Sequence, residues 1–169
     1  ITEEMLHKGV SHRKHNHGWI HAFAAVLLGQ GSTISWSNIH RQHHAFSDTN
    51  KDPQSVYHFP FWKVYSGIFY PLNRMMVKDL VKSKSHMFAH RYYNILHIVI
   101  CSLFLIIEPM IIIGFVSPGI VWAFHGLGVT NTFGHLVGNA WWAKAIVFTR
   151  EGHEDHHIDP QSNKYMLLK

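Results

Sequence analysis

The sequence predicts an all-helical fold, a membrane hairpin carrying a histidine-rich helical cap on its cytoplasmic side that holds two metal ions. Three observations carry this. His40-Arg41-Gln42-His43-His44 places three imidazoles at i, i+3 and i+4, and the same spacing returns at His153-Glu154-Asp155-His156-His157. On a helix these positions fall within about 60° of the first imidazole, so each triplet occupies one face of one turn. Two long apolar runs, 94–116 and 119–137, flank Ser117-Pro118-Gly119, a turn signal. All 15 Lys and Arg lie outside the stretch between Arg91 and Lys144. By the bias of Lys and Arg toward the cytoplasm, the hairpin tip near Pro118 then faces away from it, and every major His cluster lies on the cytoplasmic side.

In chain order, residues 1–18 are polar and dense in histidine, with His7, His12, His15 and His17. Residues 19–36 are mostly apolar, interrupted at Gly29-Gln30-Gly31. A transmembrane helix wants about 20 apolar residues, and a crossing here would separate the flanking His clusters by about 30 Å of hydrocarbon. This run is therefore expected to be a buried or interfacial helix. Asp48–Pro53 holds turn formers, and Phe59, Phe61, Trp62, Tyr65, Phe69 and Tyr70 form an aromatic segment suited to the headgroup region. Glu108-Pro109 is read as the end of the first apolar helix, with Glu108 reaching interfacial water.

Composition narrows the function. The chain has 169 residues, room for one domain (1–169), and is 47% hydrophobic with 17 His. The formal charge is +5 and the pI about 9.4, which suits a membrane face or an acidic partner. No basic stripe or nucleic-acid motif is present, so nucleic acid is not an expected partner. Cys101 is the only cysteine, which excludes a disulfide framework and a cysteine zinc site, and it is expected to be an inert buried thiol.

Candidate ligands come from four places: His7 and His12, the triplet His40, His43 and His44, then Asn131 with His135 one turn on, and finally His153, His156 and His157. Nine His and one Asn are too many for one ion and fit two with open positions. The pair His7/His12 is spaced i, i+5, about 140° apart on a helix, and His12/His17 has the same spacing, so spacing alone leaves that choice open.

Taken together, these motifs resemble the integral-membrane fatty-acid desaturases, especially the acyl-CoA (stearoyl-type) branch. Leu6-His7-Lys8-Gly9-Val10-Ser11-His12-Arg13 is similar to the family's first box and favours His7/His12. Trp36 to Thr49, containing HRQHHAFSDT, is close to the second, and Asp52-Pro53 follows with Gln54 in place of a histidine. Asn131-Thr132-Phe133-Gly134-His135 and Glu151-Gly152-His153-Glu154-Asp155-His156-His157 resemble the remaining boxes, the last lacking a Trp before its first His and carrying Glu154-Asp155 where an Asn pair is usual. Those two carboxylates have two readings, as hydrogen-bond partners of metal-bound imidazoles or as the mark of a diverged activity.

The resemblance implies a di-iron centre held by the nine histidines, with Asn131 holding a metal-bound water. It implies O2 as co-substrate, removal of two hydrogens from adjacent CH2 groups of an acyl-CoA or acyl-lipid substrate, and electrons from a cytochrome b5 or ferredoxin. It also implies a further membrane hairpin before the first box, so that a chain opening at that box is expected to be a fragment. Two other readings share the pattern: a lipid or alkane hydroxylase of the same class, and a non-catalytic metal-holding module.

Overall fold

A computed structural model of the chain describes residues 10–12, 17–29, 31–66, 70–133, 135–136 and 157–158. Every regular element among them is helical: α1 (Trp19–Leu28), α2 (Thr33–Phe46), α3 (Phe61–Ser66), α4 (Lys78–Val81), α5 (Lys84–Arg91), α6 (Tyr93–Ile107), α7 (Pro109–Ile111), a π-helical turn (Ile112–Val116) and α8 (Ser117–Phe133).

The apolar run 19–36 is two helices rather than one. Gly29 closes α1 in the left-handed region at φ 69°, where its N–H returns to the Val26 carbonyl at 3.3 Å. Glycine takes this conformation at no steric cost, and a Cβ here would also lie 3.0 Å from Ile120 Cδ1. Ser32 then caps α2, accepting the Ser35 N–H at 3.2 Å. The turn between the helices is tied to α6. His97 Nδ1 donates to the Val26 carbonyl at 2.7 Å, and the Gly31 N–H donates to the Tyr93 hydroxyl at 3.0 Å.

The hairpin tip lies at Glu108-Pro109, not at Ser117-Pro118-Gly119. A residue before proline is pushed out of the helical region, and Glu108 is extended at φ −161°, ψ 103°. Its carboxylate then caps the next helix by accepting the Met110 N–H at 3.1 Å, while Pro109 sits at a first-turn position that needs no donor. Pro118 does not break the chain because a π-helical turn precedes it, in which the Ser117 N–H reaches back to the Ile112 carbonyl. That widened turn accommodates a residue with no N–H and a ring that would crowd a regular α-helix. His97 and Ile120, roughly equidistant from the tip, both lie against Gly29, as two antiparallel arms require.

None of the residues of α6, α7 or the π-turn is buried, and Ile106, Ile107 and Phe115 are at least 72% exposed. Among the described residues no single helix is long and apolar enough to cross a membrane; α5 and α6 satisfy length and composition only as a pair bent by 76°. The small apolar core has two parts. Val10, Ala25, Ile34, Val77 and Leu80 form one, and Ala22, Val26 and Ala89, flanked by Tyr93, Leu96 and Ile100, form the other. Much of the remaining interior is polar, built around α2. Cys101 is half-buried rather than buried, with its Sγ 3.8 Å from His97 Nε2.

Candidate metal centre

Helix α2 buries His40 and His43 and half-buries His44. His40 and His44, four residues apart, point within about 40° of each other, whereas His43 lies about 100° from His44. The triplet therefore serves two places. The ligand nitrogens of His12, His40 and His44 lie within 4.8 Å of one another, and so do those of His43, His135 and His157. His12 Nε2 and His40 Nε2 are 2.9 Å apart, and Trp36 stacks on the His40 ring at 4.9 Å. The two groups abut, since His44 stacks on His157 at 4.3 Å between ring centroids.

Both groups fit a metal ion. Bonds of about 2.0–2.1 Å in tetrahedral geometry put two ligand atoms about 3.4 Å apart, so the widest spacing needs roughly an ångström of closure, which side-chain rotation supplies. Imidazole suits iron, copper, nickel and zinc, and it binds in the neutral form. Burial, followed by the nearby Arg41 guanidinium, lowers the His12 pKa from its usual value to about 4. Burial, reinforced by neighbouring His43, also lowers that of His135. Neither ring has to shed a proton near neutral pH to accept an ion.

In the second group every Nδ1 faces an oxygen from the loop that follows α2. His43 Nδ1 is 3.0 Å from both Asp52 oxygens, His135 Nδ1 3.2 Å from Asp48 Oδ2, and His157 Nδ1 3.0 Å from Ser47 Oγ. Such bonds fix ring orientation and leave Nε2 to face the ion. Asp52 is itself fully buried and accepts the backbone N–H groups of Asp48 at 2.9 Å and Gln54 at 2.8 Å. Burial opposes its charge, but the His43 hydrogen bond and these N–H groups outweigh it and hold the carboxyl below its ordinary value. Asp48 adopts φ 61°, uncommon for a residue with a side chain, and this aims its carboxylate at His135.

Thus His12, His40, His43, His44, His135 and His157 are brought together in two groups of three. His7, His153, His156, Glu154 and Asp155 lie outside the described residues. Asn131 is buried one turn before His135, and its Nδ2 has no hydrogen-bond partner among the described residues. Several other histidines have separate roles. His86 Nδ1 pairs with Thr33 Oγ1 at 2.8 Å, His90 Nδ1 with Ser32 Oγ at 2.6 Å, and His21 Nδ1 accepts the His17 N–H at 2.9 Å. The supporting roles of Ser47, Asp48 and Asp52 were not anticipated from the sequence, although all three stand in the quoted FSDT and DP motifs.

No family model matches the chain, and no solved structure matches it. Curated relatives do. It is 26% identical over 183 residues to an sn-1 stearoyl-lipid 9-desaturase of Anabaena variabilis, covering 96% of this chain and 67% of the relative. It is 28% identical over 188 residues to the chloroplastic palmitoyl-monogalactosyldiacylglycerol delta-7 desaturase of Arabidopsis thaliana, covering 96% and 50%. An acyl-CoA 5-desaturase of Anemone leveillei is 27% identical over 192 residues, covering 97% and 58%. The chain is thus similar, over nearly its whole length, to curated fatty-acid desaturases. Fatty-acid desaturases are oxidoreductases, and these relatives include acyl-lipid as well as acyl-CoA enzymes, so the match is broader than the acyl-CoA branch. The chain spans about half to two thirds of the length of these fatty-acid desaturases.

Proposed function

We propose that this chain is the metal-bearing part of an O2-dependent fatty-acyl desaturase. The observation that carries the reading is the pair of adjoining three-histidine groups, each gathered within 4.8 Å. His12, His40 and His44 hold one iron, and His43, His135 and His157 the other. His7, His153 and His156 complete the two sets, and Asn131 offers its amide to a metal-bound water. Two irons bound there supply O2 activation and the oxidising power to remove hydrogen from adjacent CH2 groups.

The protein's own residues orient and insulate that centre. Asp52, Asp48 and Ser47 set the tautomers of three imidazoles, and Trp36 holds His40 against rotation. The exposed apolar arms α6 and α7 lie in lipid, which brings an acyl substrate to the same molecule. Electrons come from an acidic donor, a cytochrome b5 or ferredoxin. Exposed Arg74, Lys78, Lys82 and Lys84 form a basic face that steers it. The His groups lie on the cytoplasmic side.

The test is expression of the gene in a host that cannot desaturate its own fatty acids, with gas chromatography of total acyl chains. The expected result is a new alkene that disappears in a His43→Ala variant. A hydroxylated product instead would reassign the reaction to the hydroxylase class.

A further inference from the structure

Between His40 and Gln42, Arg41 does not reach either histidine group. Its guanidinium is 9% exposed and has five N–H donors, and each has an acceptor. Nε donates to the Ser11 carbonyl at 2.8 Å. One terminal nitrogen donates to the Met76 carbonyl at 2.8 Å and Asp79 Oδ1 at 2.6 Å. The other donates to the Val10 carbonyl at 2.8 Å and Asp79 Oδ2 at 2.9 Å. Two of these five acceptors are the backbone carbonyls immediately preceding His12. A sixth link, Ser11 Oγ to Ser37 Oγ at 2.9 Å, joins the same segment to α2.

We propose that Arg41 is the positioning residue of the first metal site, clamping the segment that carries His12 onto α2 so that His12 meets His40 and His44. His12 is the one member of its group that does not belong to α2, and 27 residues separate it from His40. Nothing local in the chain sets its distance from the other two. The clamp does so by fixing Val10 and Ser11 against the residue that follows His40, while Asp79 and Met76 hold the far side of the fork on α4 and the turn before it. The second group draws its loop partners from residues 47–52 and does not pass through Arg41. The effect of Arg41 is therefore selective for one position. A lysine keeps the charge but has three donors on a flexible stem and cannot fill a five-acceptor planar fork.

This inference rests on the metal reading above, and cobalt binding tests them separately. In a His43→Ala background the absorption of bound Co2+ reports the first position, and in a His12→Ala background it reports the second. Arg41→Lys is expected to weaken Co2+ at least tenfold in the first background and less than twofold in the second. Asp79→Asn, which spares the three carbonyl bonds, is expected to give a smaller loss in the same direction and serves if Arg41→Lys does not fold. Equal weakening in both backgrounds, or none in either, would overturn the positioning role. Failure of the unsubstituted protein to bind two Co2+ would instead overturn the metal reading.

Discussion

Replacing Asp52 by Asn tests whether the loop after α2 tunes the centre or merely closes a turn. Each Asp52 oxygen accepts one backbone N–H, from Gln54 at Oδ1 and from Asp48 at Oδ2, and both face His43 Nδ1 at 3.0 Å. An asparagine amide has only one oxygen. Whichever way it turns, its NH2 meets a backbone donor, and one N–H is left unpaired beside a fully buried side chain. That costs about 1–3 kcal/mol of stability. The asparagine also loses the charged partner that orients the His43 ring, and removal of such a partner costs roughly 10–100-fold in metal affinity. The two effects separate experimentally. Thermal melting in excess chelator reads the first, and competition of Zn2+ between protein and a chromophoric chelator reads the second. Asp48→Asn is the control, because Asp48 is 40% exposed and its bond to His135 is longer at 3.2 Å; its effect on both readouts is expected to be smaller. Zn2+ affinity within twofold of the parent in Asp52→Asn, with only the melting temperature lowered, would refute the reasoning and leave Asp52 as a turn staple.

His43→Gln is expected to lower bound metal per chain while His97→Gln leaves it unchanged, since His97 serves the Val26 carbonyl; metal analysis of the two purified proteins checks this. His86, fully buried against Thr33, is held neutral chiefly by burial, which lowers its pKa from 6.5 to about 4. Between those values the unfolded chain binds the proton and the folded one does not, so this contribution is complete above pH 6.5 and is lost as pH falls toward 4. His86→Gln should flatten that part of the melting-temperature curve. Gly29→Ala should cost about 1–2 kcal/mol from the left-handed backbone alone, before the 3.0 Å approach to Ile120, and chemical denaturation measures it.

The sequence made the histidine boxes legible because helical geometry relates i, i+3 and i+4 without knowledge of the fold. It did not show that His43 parts company with His40 and His44, because that depends on what lies opposite each side of α2. The hairpin was legible from its charge-free apolar length, but its tip was misplaced. Ser117-Pro118-Gly119 has turn chemistry, yet the π-turn before it carries the helix through, and Glu108-Pro109 makes the break. Glu108 ends the first arm, where the following proline predicts a helix stop. Carboxylate support was expected from Glu154 and Asp155, which lie outside the described residues, whereas Asp48 and Asp52 meet the described histidines. Asp52 is nine residues from His43 and was within reach of local reasoning, but Asp48 meets His135 across 87 residues of chain, and only the fold brings them together. Arg41 likewise meets Val10, Ser11 and Asp79 only through the fold.

The central claim is that two metal ions lie side by side, one in each three-histidine group. Anomalous diffraction at the iron absorption edge, from crystals of the iron-loaded protein, tests it most directly. The expected map has two peaks, one about 2.1 Å from nitrogens of His12, His40 and His44 and the other equally close to those of His43, His135 and His157. A single peak shared by His40, His43 and His44, or no peak at either group, would contradict the account.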